Sequence, residues 1–152
     1  KFSSDGKRIA CGNSDGACHI LDTETGKILG SMKAHASTIR AICWMSSADG
    51  DNKLASGAND SLVCLYDLRA MNVATSWRAY PSGAVFGLDS DSTTGDYLAT
   101  AGGGGMVTLW DSRSSSSDTG SFVPVASVQA HNGEAWDVSF LDEGMKLASV
   151  GD

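Results

Sequence analysis

The feature that most constrains this chain is an internal repeat of about 45 residues. Residues 9–22, 54–67 and 98–111 align with one another: each begins with an aliphatic residue and Ala, continues into a turn, and ends on Asp. The final Asp residues lie 45 and 44 residues apart, and a fourth copy begins at residue 147. Self-similarity at this period indicates a solenoid, a propeller or another repeat array.

A second marker has the same period. It is a pair formed by Ala and a ring-bearing residue, seen as Ala34-His35, Ala79-Tyr80 and Ala130-His131, at intervals of 45 and 51 residues. The longer interval is explained by a serine-rich stretch at 112–121, which offers few side chains to a core. We therefore predict an inserted surface loop there.

Each repeat alternates strand-forming and turn-forming segments. The first strand is rich in β-branched and aromatic residues, and its three copies are 39–44, 85–88 and 135–140. Turn signals follow the first strand at 47–50, 94–96 and 142–144. The two central strands of each repeat are joined by turns at 15–16, 60–61 and 104–105. The fourth strand includes residues 27–30, 73–75 and 125–128. Four antiparallel strands in about 45 residues describe one blade of a β-propeller.

The chain resembles the WD-repeat (WD40) propellers over essentially its whole length. Trp110-Asp111 is the complete signature dipeptide, and Tyr66-Asp67 and Leu21-Asp22 are degenerate copies, whereas Trp136-Asp137 lies out of register. The resemblance implies an all-β propeller with about three and a half four-stranded blades. These are a partial blade at 1–33, whole blades at 34–78 and 79–129, and a first half at 130–152.

Rings of this family usually have seven blades, which requires roughly 315 residues at about 45 per blade. An unclosed arc leaves apolar blade faces and strand edges exposed, so we expect the remaining blades to come from the same natural polypeptide. Completion of the ring by a second copy is the alternative. An open arc exposes strand edges and apolar blade faces, so we expect the isolated 152-residue segment not to be a stable monomer.

In WD repeats a His, a strand Ser or Thr, a turn Asp and the signature Trp form a buried hydrogen-bond network. The resemblance assigns this network to the second repeat as His35, Ser56 and Asp60, with Tyr66 in the Trp position. The first three also have the composition of a hydrolase triad, but a set that recurs with the fold indicates a structural role. The counterparts are Cys11 and Asp15 in the first repeat, Thr100 and Trp110 in the third, and His131 and Ser149 in the fourth.

The third repeat departs from this pattern. Tyr80 replaces the His and Gly104 replaces the Asp. We therefore expect its network to be broken and its blade to be the least rigid.

Composition limits the classes of partner and compartment. With 11 basic and 18 acidic residues and a net charge of −7, the chain is a poor nucleic-acid binder. No apolar run approaches the ~18 residues that span a membrane. The four cysteines lack metal-binding spacing, which favours buried thiols in a reducing compartment, the cytoplasm or nucleus. We predict no catalytic residues, no metal and no cofactor.

Two loops resemble ligand sites only in part. Gly102–Gly105 is followed by a strand-forming stretch instead of the Lys, Ser/Thr and helix of a phosphate-binding loop, which indicates a hairpin turn. Residues 89–96 resemble half of a calcium loop, but Thr94 and Thr100 replace its Gly and Glu. The serines at 114–117 offer phosphate acceptors and are interpreted as a loop, and His19 stands alone on a strand.

Recognition in this architecture falls to loops and strand ends. The residue after the first apolar position of each inner strand faces one rim of the central channel, and these residues are Arg40, Phe86 and Trp136. The residue before the turn Asp faces the same rim, giving Ser14, Asn59 and Gly103. Arg and Trp are enriched at binding hot spots, so we predict that this rim docks a peptide segment of a larger protein. Packing between blades, or a solvated arginine, is the alternative.

A narrower resemblance rests on residues 35–40, 135–138 and 148–152, with a weaker one at 1–7. These are similar to the small WD-repeat subunits of superkiller (Ski) RNA-decay complexes, shared in animals with the RNA polymerase-associated elongation complex. The loop at 112–121 departs from them. The resemblance implies a non-catalytic scaffold, the C-terminal half of a ring, that docks a larger helical-repeat subunit. The alternative is a propeller with a small-ligand or catalytic site in its channel.

Overall fold

The computed structural model describes residues 1–45, 50–113, 122–142 and 146–152. Their strands form four sheets in chain order, each antiparallel with sequential strands adjacent. The first sheet has β1 (Arg8–Gly12), β2 (Ala17–Asp22) and β3 (Ile28–Lys33); the second has β4 (Ile39–Met45), β5 (Lys53–Ala58), β6 (Leu62–Asp67) and β7 (Asn72–Arg78). The third has β8 (Val85–Ser90), β9 (Tyr97–Gly102), β10 (Met106–Asp111) and β11 (Val123–Gln129); the fourth has β12 (Ala135–Leu141) and β13 (Lys146–Gly151).

The predicted all-β fold of antiparallel blades is confirmed. A short 3₁₀ turn at Gly103–Gly105 joins β9 to β10, as expected for a turn and not for a phosphate-binding loop. The turn segments at 47–49 and 143–144, and residues 114–121 of the predicted loop, lie outside the described residues. Within the described ranges, no helix is long and apolar enough to cross a lipid bilayer.

The core consists of apolar layers between successive sheets. On β4, Ile42 and Trp44 belong to the layer shared with the first sheet, whereas Cys43 and Met45 belong to the layer shared with the third. This alternation follows from the two-residue period of a strand, which sends neighbouring side chains to opposite faces. The inner strands β4, β8 and β12 are therefore neighbours, and β1 lies against β4.

Backbone hydrogen bonds join each sheet to the next through the turn between its two central strands. The carbonyl of Gly16 accepts from the N–H groups of Ala34 and His35 at 3.3 and 3.2 Å, and the Gly105 carbonyl accepts from Ala130 and His131 at 2.9 and 3.3 Å. Both glycines have positive φ, and a Cβ on Gly16 would lie 2.1 Å from the His35 carbonyl oxygen. Glycine is required there by both conformation and space.

The prediction of four buried thiols is wrong for one of them. Cys18, Cys43 and Cys64 are buried, but Cys11 is exposed. Cys11 lies on β1 next to Ala10, which belongs to the apolar layer shared with the second sheet. Neighbouring side chains of a strand point to opposite faces, so Cys11 lies on the face of the first sheet against which no described sheet packs.

Gly16→Ala should destabilise the full-length protein by more than about 2 kcal/mol, because it adds a backbone clash to the cost of left-handed φ. Gly26→Ala is the matched control: Gly26 has φ +67° and nothing within 4 Å of an added Cβ. It should cost only about 1–2 kcal/mol. Urea unfolding measures the free energy of unfolding of both variants. Equal decreases would show that the close approach of Gly16 to the His35 carbonyl does not affect stability.

Candidate functional site

The second blade contains a continuous buried hydrogen-bond chain. Tyr66 Oη lies 2.8 Å from Ser56 Oγ, Ser56 Oγ lies 2.7 Å from His35 Nε2, and His35 Nδ1 lies 3.1 Å from Asp60 Oδ1. A carboxylate can only accept, so Nδ1–H donates to Asp60. In the neutral imidazole Nε2 then accepts from the Ser56 hydroxyl, whose oxygen accepts from Tyr66. The side chains of His35, Ser56 and Tyr66 are fully buried.

The ionisation of these groups matches that chain of donors and acceptors. Burial raises the pKa of the Tyr66 hydroxyl and keeps it a donor. Burial also acts to raise the pKa of Asp60, but hydrogen bonds from the Ala36 and Leu62 N–H groups and the proximity of His35 outweigh it and lower the pKa. The carboxylate ties the turn before β6 to the loop before β4. Because each of the four side chains is hydrogen-bonded to another, the network has a structural role and leaves no hydroxyl free to act as a nucleophile.

The expectation that the third blade has a broken network is wrong. Tyr80 Oη lies 2.8 Å from Thr100 Oγ1, and the Trp110 indole N–H donates to the same oxygen at 3.0 Å. Tyr80 is buried, and burial raises its pKa to about 12. Tyr80 thus contacts the strand hydroxyl as His35 does in the second blade, and the third blade keeps a buried polar link without a turn carboxylate.

The end blades hold only part of the predicted network. His131 Nε2 lies 3.0 Å from Ser149 Oγ in the fourth sheet. In the first sheet Asp15 is exposed, and no hydrogen bond or ion pair reaches its side chain within the described residues. The position that corresponds to His35 in the first repeat falls before residue 1, so the network role of Asp15, with Cys11, stays a prediction.

The three predicted rim residues of the inner strands share one unusual backbone position. Arg40 lies unpaired between the residue pairs Ile39–Ala58 and Ala41–Gly57, so it is the extra residue of a β-bulge. Phe86 and Trp136 occupy the same position in the bulges of β8 and β12. A bulge redirects its extra side chain out of the strand's alternation, which turns these three residues away from the blade core.

These bulge residues line one cavity of about 650 Å³ bounded by β1, β4, β8 and β12. The rings of Phe86 and Trp136 lie 4.8 Å apart at 50° to one another. Trp136 is 46% exposed, whereas the other three tryptophans are at most 9% exposed. Arg40 is exposed, and its Nε–H donates to Asn59 Oδ1 at 2.8 Å.

The second set of predicted rim residues is less uniform. Asn59 and Ser14 are exposed, and the Ser14 carbonyl accepts from the Thr38 hydroxyl at 3.3 Å. Gly103 is buried against Ser82 and Gly83, so its assignment to a binding surface is wrong. Its backbone N–H donates to the carbonyl of Ala84, the residue just before β8.

Two carboxylates at the cavity were missed by the sequence analysis. Asp89 and Asp137 both line it, and Asp89 Oδ2 accepts from Ser139 Oγ at 3.0 Å and from the Phe140 N–H at 2.9 Å. The sequence signal that could have found them is their place on the inner strands: Asp137 directly follows Trp136, and Asp89 lies three residues after Phe86. Among the residues that the structure describes, no group of three acidic, His or Cys side chains is arranged to hold a metal ion.

Comparison with known proteins agrees with the repeat architecture. A family model described as the Anaphase-promoting complex subunit 4 WD40 domain matches residues 1–47. The LEC14B protein of Lithospermum erythrorhizon is 28% identical over 144 residues, 93% of this chain and 29% of that protein. Meiotic fizzy-related protein 1 of Schizosaccharomyces pombe is 31% identical over 114 residues, 75% of this chain and 26% of that protein.

A third relative carries the repeat in its name. The WD repeat-containing protein 91 homolog of Dictyostelium discoideum is 27% identical over 149 residues, 95% of this chain and 18% of that protein. The chain thus spans less than a third of the length of these three relatives.

Removal of the buried polar link should destabilise the second blade. Ser56→Ala leaves His35 Nε2 and the Tyr66 hydroxyl without the partner they share, and Asp60→Ala removes the carboxylate that holds the turn. Each change should cost roughly 1–3 kcal/mol of unfolding free energy. Thermal unfolding of the full-length variants measures this. Loss of a biochemical activity with an unchanged melting temperature would instead point to a catalytic role.

The third blade provides a parallel test. Tyr80→Phe removes the hydroxyl that contacts Thr100 and should cost roughly 1–3 kcal/mol. Tyr97→Phe is the control, because Tyr97 is only partly buried and its hydroxyl contacts exposed Arg113. An equal effect of the two changes in denaturant unfolding would contradict a buried link in this blade.

The stabilisation by Asp60 should depend on pH. Its pKa is lowered by folding, so its contribution is present above the ordinary value of 3.8 and is lost as the pH falls through the lower folded value. The difference in melting temperature between the wild type and Asp60→Asn should therefore shrink below about pH 3.8. A constant difference from pH 7 to pH 2.5 would contradict the ionised role of Asp60.

Proposed function

Since this chain is composed of WD40 repeats, whose proteins generally bind other proteins, we propose that it forms part of a non-catalytic protein-interaction scaffold. Its rim, formed by Arg40, Phe86 and Trp136, docks a peptide segment of a partner protein. The observation that carries this proposal is the convergence of all three bulge residues on one cavity.

The chemistry of the rim supports a polypeptide ligand. The Trp136–Phe86 pair provides a broad apolar surface from side chains with few rotatable bonds, so little conformational entropy is lost on binding. Arg40 adds a directional hydrogen-bond donor beside it. The net charge of −7 disfavours a nucleic-acid backbone as the ligand.

A catalytic channel is the alternative, and the site offers little for it. The two carboxylates at the cavity are Asp89, which is held by Ser139 and Phe140, and Asp137. Both imidazole nitrogens of His35 are engaged in the second blade. Within the described chain no histidine lines the cavity beside these carboxylates, so they form no carboxylate–histidine pair there.

A finer proposal is that the scaffold serves an RNA-decay or transcription complex in the cytoplasm or nucleus. It is supported by the similarity of residues 35–40, 135–138 and 148–152 to superkiller-type subunits. Co-purification of the full-length protein with the helical-repeat subunit of that complex tests it. Failure there, with rim-dependent binding to a different protein, would remove only this finer proposal.

Trp136→Ala should weaken partner binding by about 2 kcal/mol or more, as expected of an aromatic hot spot, and Arg40→Glu should weaken it too. Neither change should lower the melting temperature as far as Asp60→Ala. Calorimetric titration of full-length variants measures the affinity, and a blue shift of tryptophan emission reports the covering of Trp136, the exposed indole.

Ile28→Ala is the control for this experiment, because Ile28 is an exposed apolar residue on β3, at the opposite edge of its sheet from β1. It should leave affinity unchanged. Unchanged affinity in both rim variants, or loss of binding only together with unfolding, would place the interface elsewhere on the protein.

A further inference from the structure

We propose that the partner segment presents a carboxylate next to an apolar side chain, with Arg40 receiving the carboxylate and the Phe86–Trp136 pair receiving the apolar group. This inference rests on the proposed function of the rim and specifies its ligand. It is carried by the way in which Arg40 is held.

Asn59 orients the guanidinium and uses only one of its donors. The Arg40 Nε–H donates to Asn59 Oδ1 at 2.8 Å, which leaves the two terminal nitrogens, Nη1 and Nη2, as an open pair of donors. Such a planar fork matches the two oxygens of a carboxylate. Asn59 is therefore a positioning residue that fixes the plane of the fork before the ligand arrives.

Among the residues that the structure describes, this fork has no ionic partner. In a chain with 18 acidic residues, no described carboxylate lies within the 4.0 Å of an ion pair with Arg40, whereas Arg113 contacts both Asp96 and Asp111. Arg40 is thus a cation in an acidic molecule whose charge is not neutralised by a described neighbour. An anionic group on the partner complements it.

The aromatic pair does not form a cage for a cation. The Phe86 and Trp136 centroids are only 4.8 Å apart, so the rings contact each other and leave no space between them for a cationic group. Their free surface suits an aliphatic or aromatic side chain. Asp137, next to Trp136 and exposed, repels a carboxylate at that end, so the acidic residue lies toward β4 and the apolar residue toward β8 and β12.

A random heptapeptide library displayed on phage, selected on the full-length protein, tests the inference. Binders that require Trp136, identified by their loss on Trp136→Ala, should be enriched in Asp or Glu near an aromatic or aliphatic residue. Selection on Arg40→Gln should lose the acidic preference and keep the apolar one. Arg69→Gln, which removes an exposed arginine outside the rim, should change neither.

A recovered peptide and its Glu→Gln or Asp→Asn counterpart are then compared by calorimetry. The neutral peptide should bind wild type about tenfold or more weakly, and the difference should vanish on Arg40→Gln. Asn59→Ala should reduce this ratio without changing the melting temperature.

The outcomes separate the two proposals. Trp136-dependent peptides that carry basic or uncharged residues, or that bind Arg40→Gln with full affinity, would overturn the acidic ligand and leave the docking rim standing. Failure to recover any Trp136-dependent peptide would overturn the docking rim and the inference with it.

Discussion

The arrangement of the blades depends on a backbone carbonyl that accepts from the following blade. Gly16, Ser61 and Gly105 occupy this position, each at positive φ, and each carbonyl receives an N–H from the Ala before His35, Tyr80 or His131. This contact sets where the next inner strand begins. Together with the apolar layers between the sheets, it brings the bulge residues of β4, β8 and β12 to one cavity, although they are distant in sequence.

The residue at this carbonyl changes together with the ring residue that follows it. Glycine precedes both histidine-containing blades, whereas Ser61 precedes the blade with Tyr80. Ser61 is accommodated at φ 67°, and its hydroxyl donates to the Gly83 carbonyl at 2.5 Å. The same blade replaces the His–Asp tie by a direct contact between Tyr80 and Thr100. Two local solutions therefore satisfy the same buried hydroxyl, and the fold constrains the link more strongly than the residues that form it.

The sequence was sufficient to predict the fold class, because a 45-residue period and turn residues such as Asp15-Gly16 can be recognised from residue types and their spacing alone. The sequence was insufficient for the third blade. Tyr80 in place of histidine suggests that the buried hydrogen-bond network is lost, and only the structure shows that the Tyr80 hydroxyl contacts Thr100. The exposure of Cys11 could not be predicted for a related reason: the burial of a strand residue depends on whether another sheet packs against its face, which is not a property of the residue itself. The contact between Phe86 and Trp136, 50 residues apart, likewise required the geometry of adjacent strands.

The bulge has a consequence for how such a surface changes over time. Its extra residue lies between the paired residues of the ladder, as Arg40 does between Ile39 and Ala41, and so takes part in neither the pairing register nor the apolar layer below. Arginine, phenylalanine and tryptophan occupy this position in three successive blades with the same backbone. Substitutions there can therefore accumulate without being removed by selection for folding, which leaves the ligand preference of each blade free to diverge.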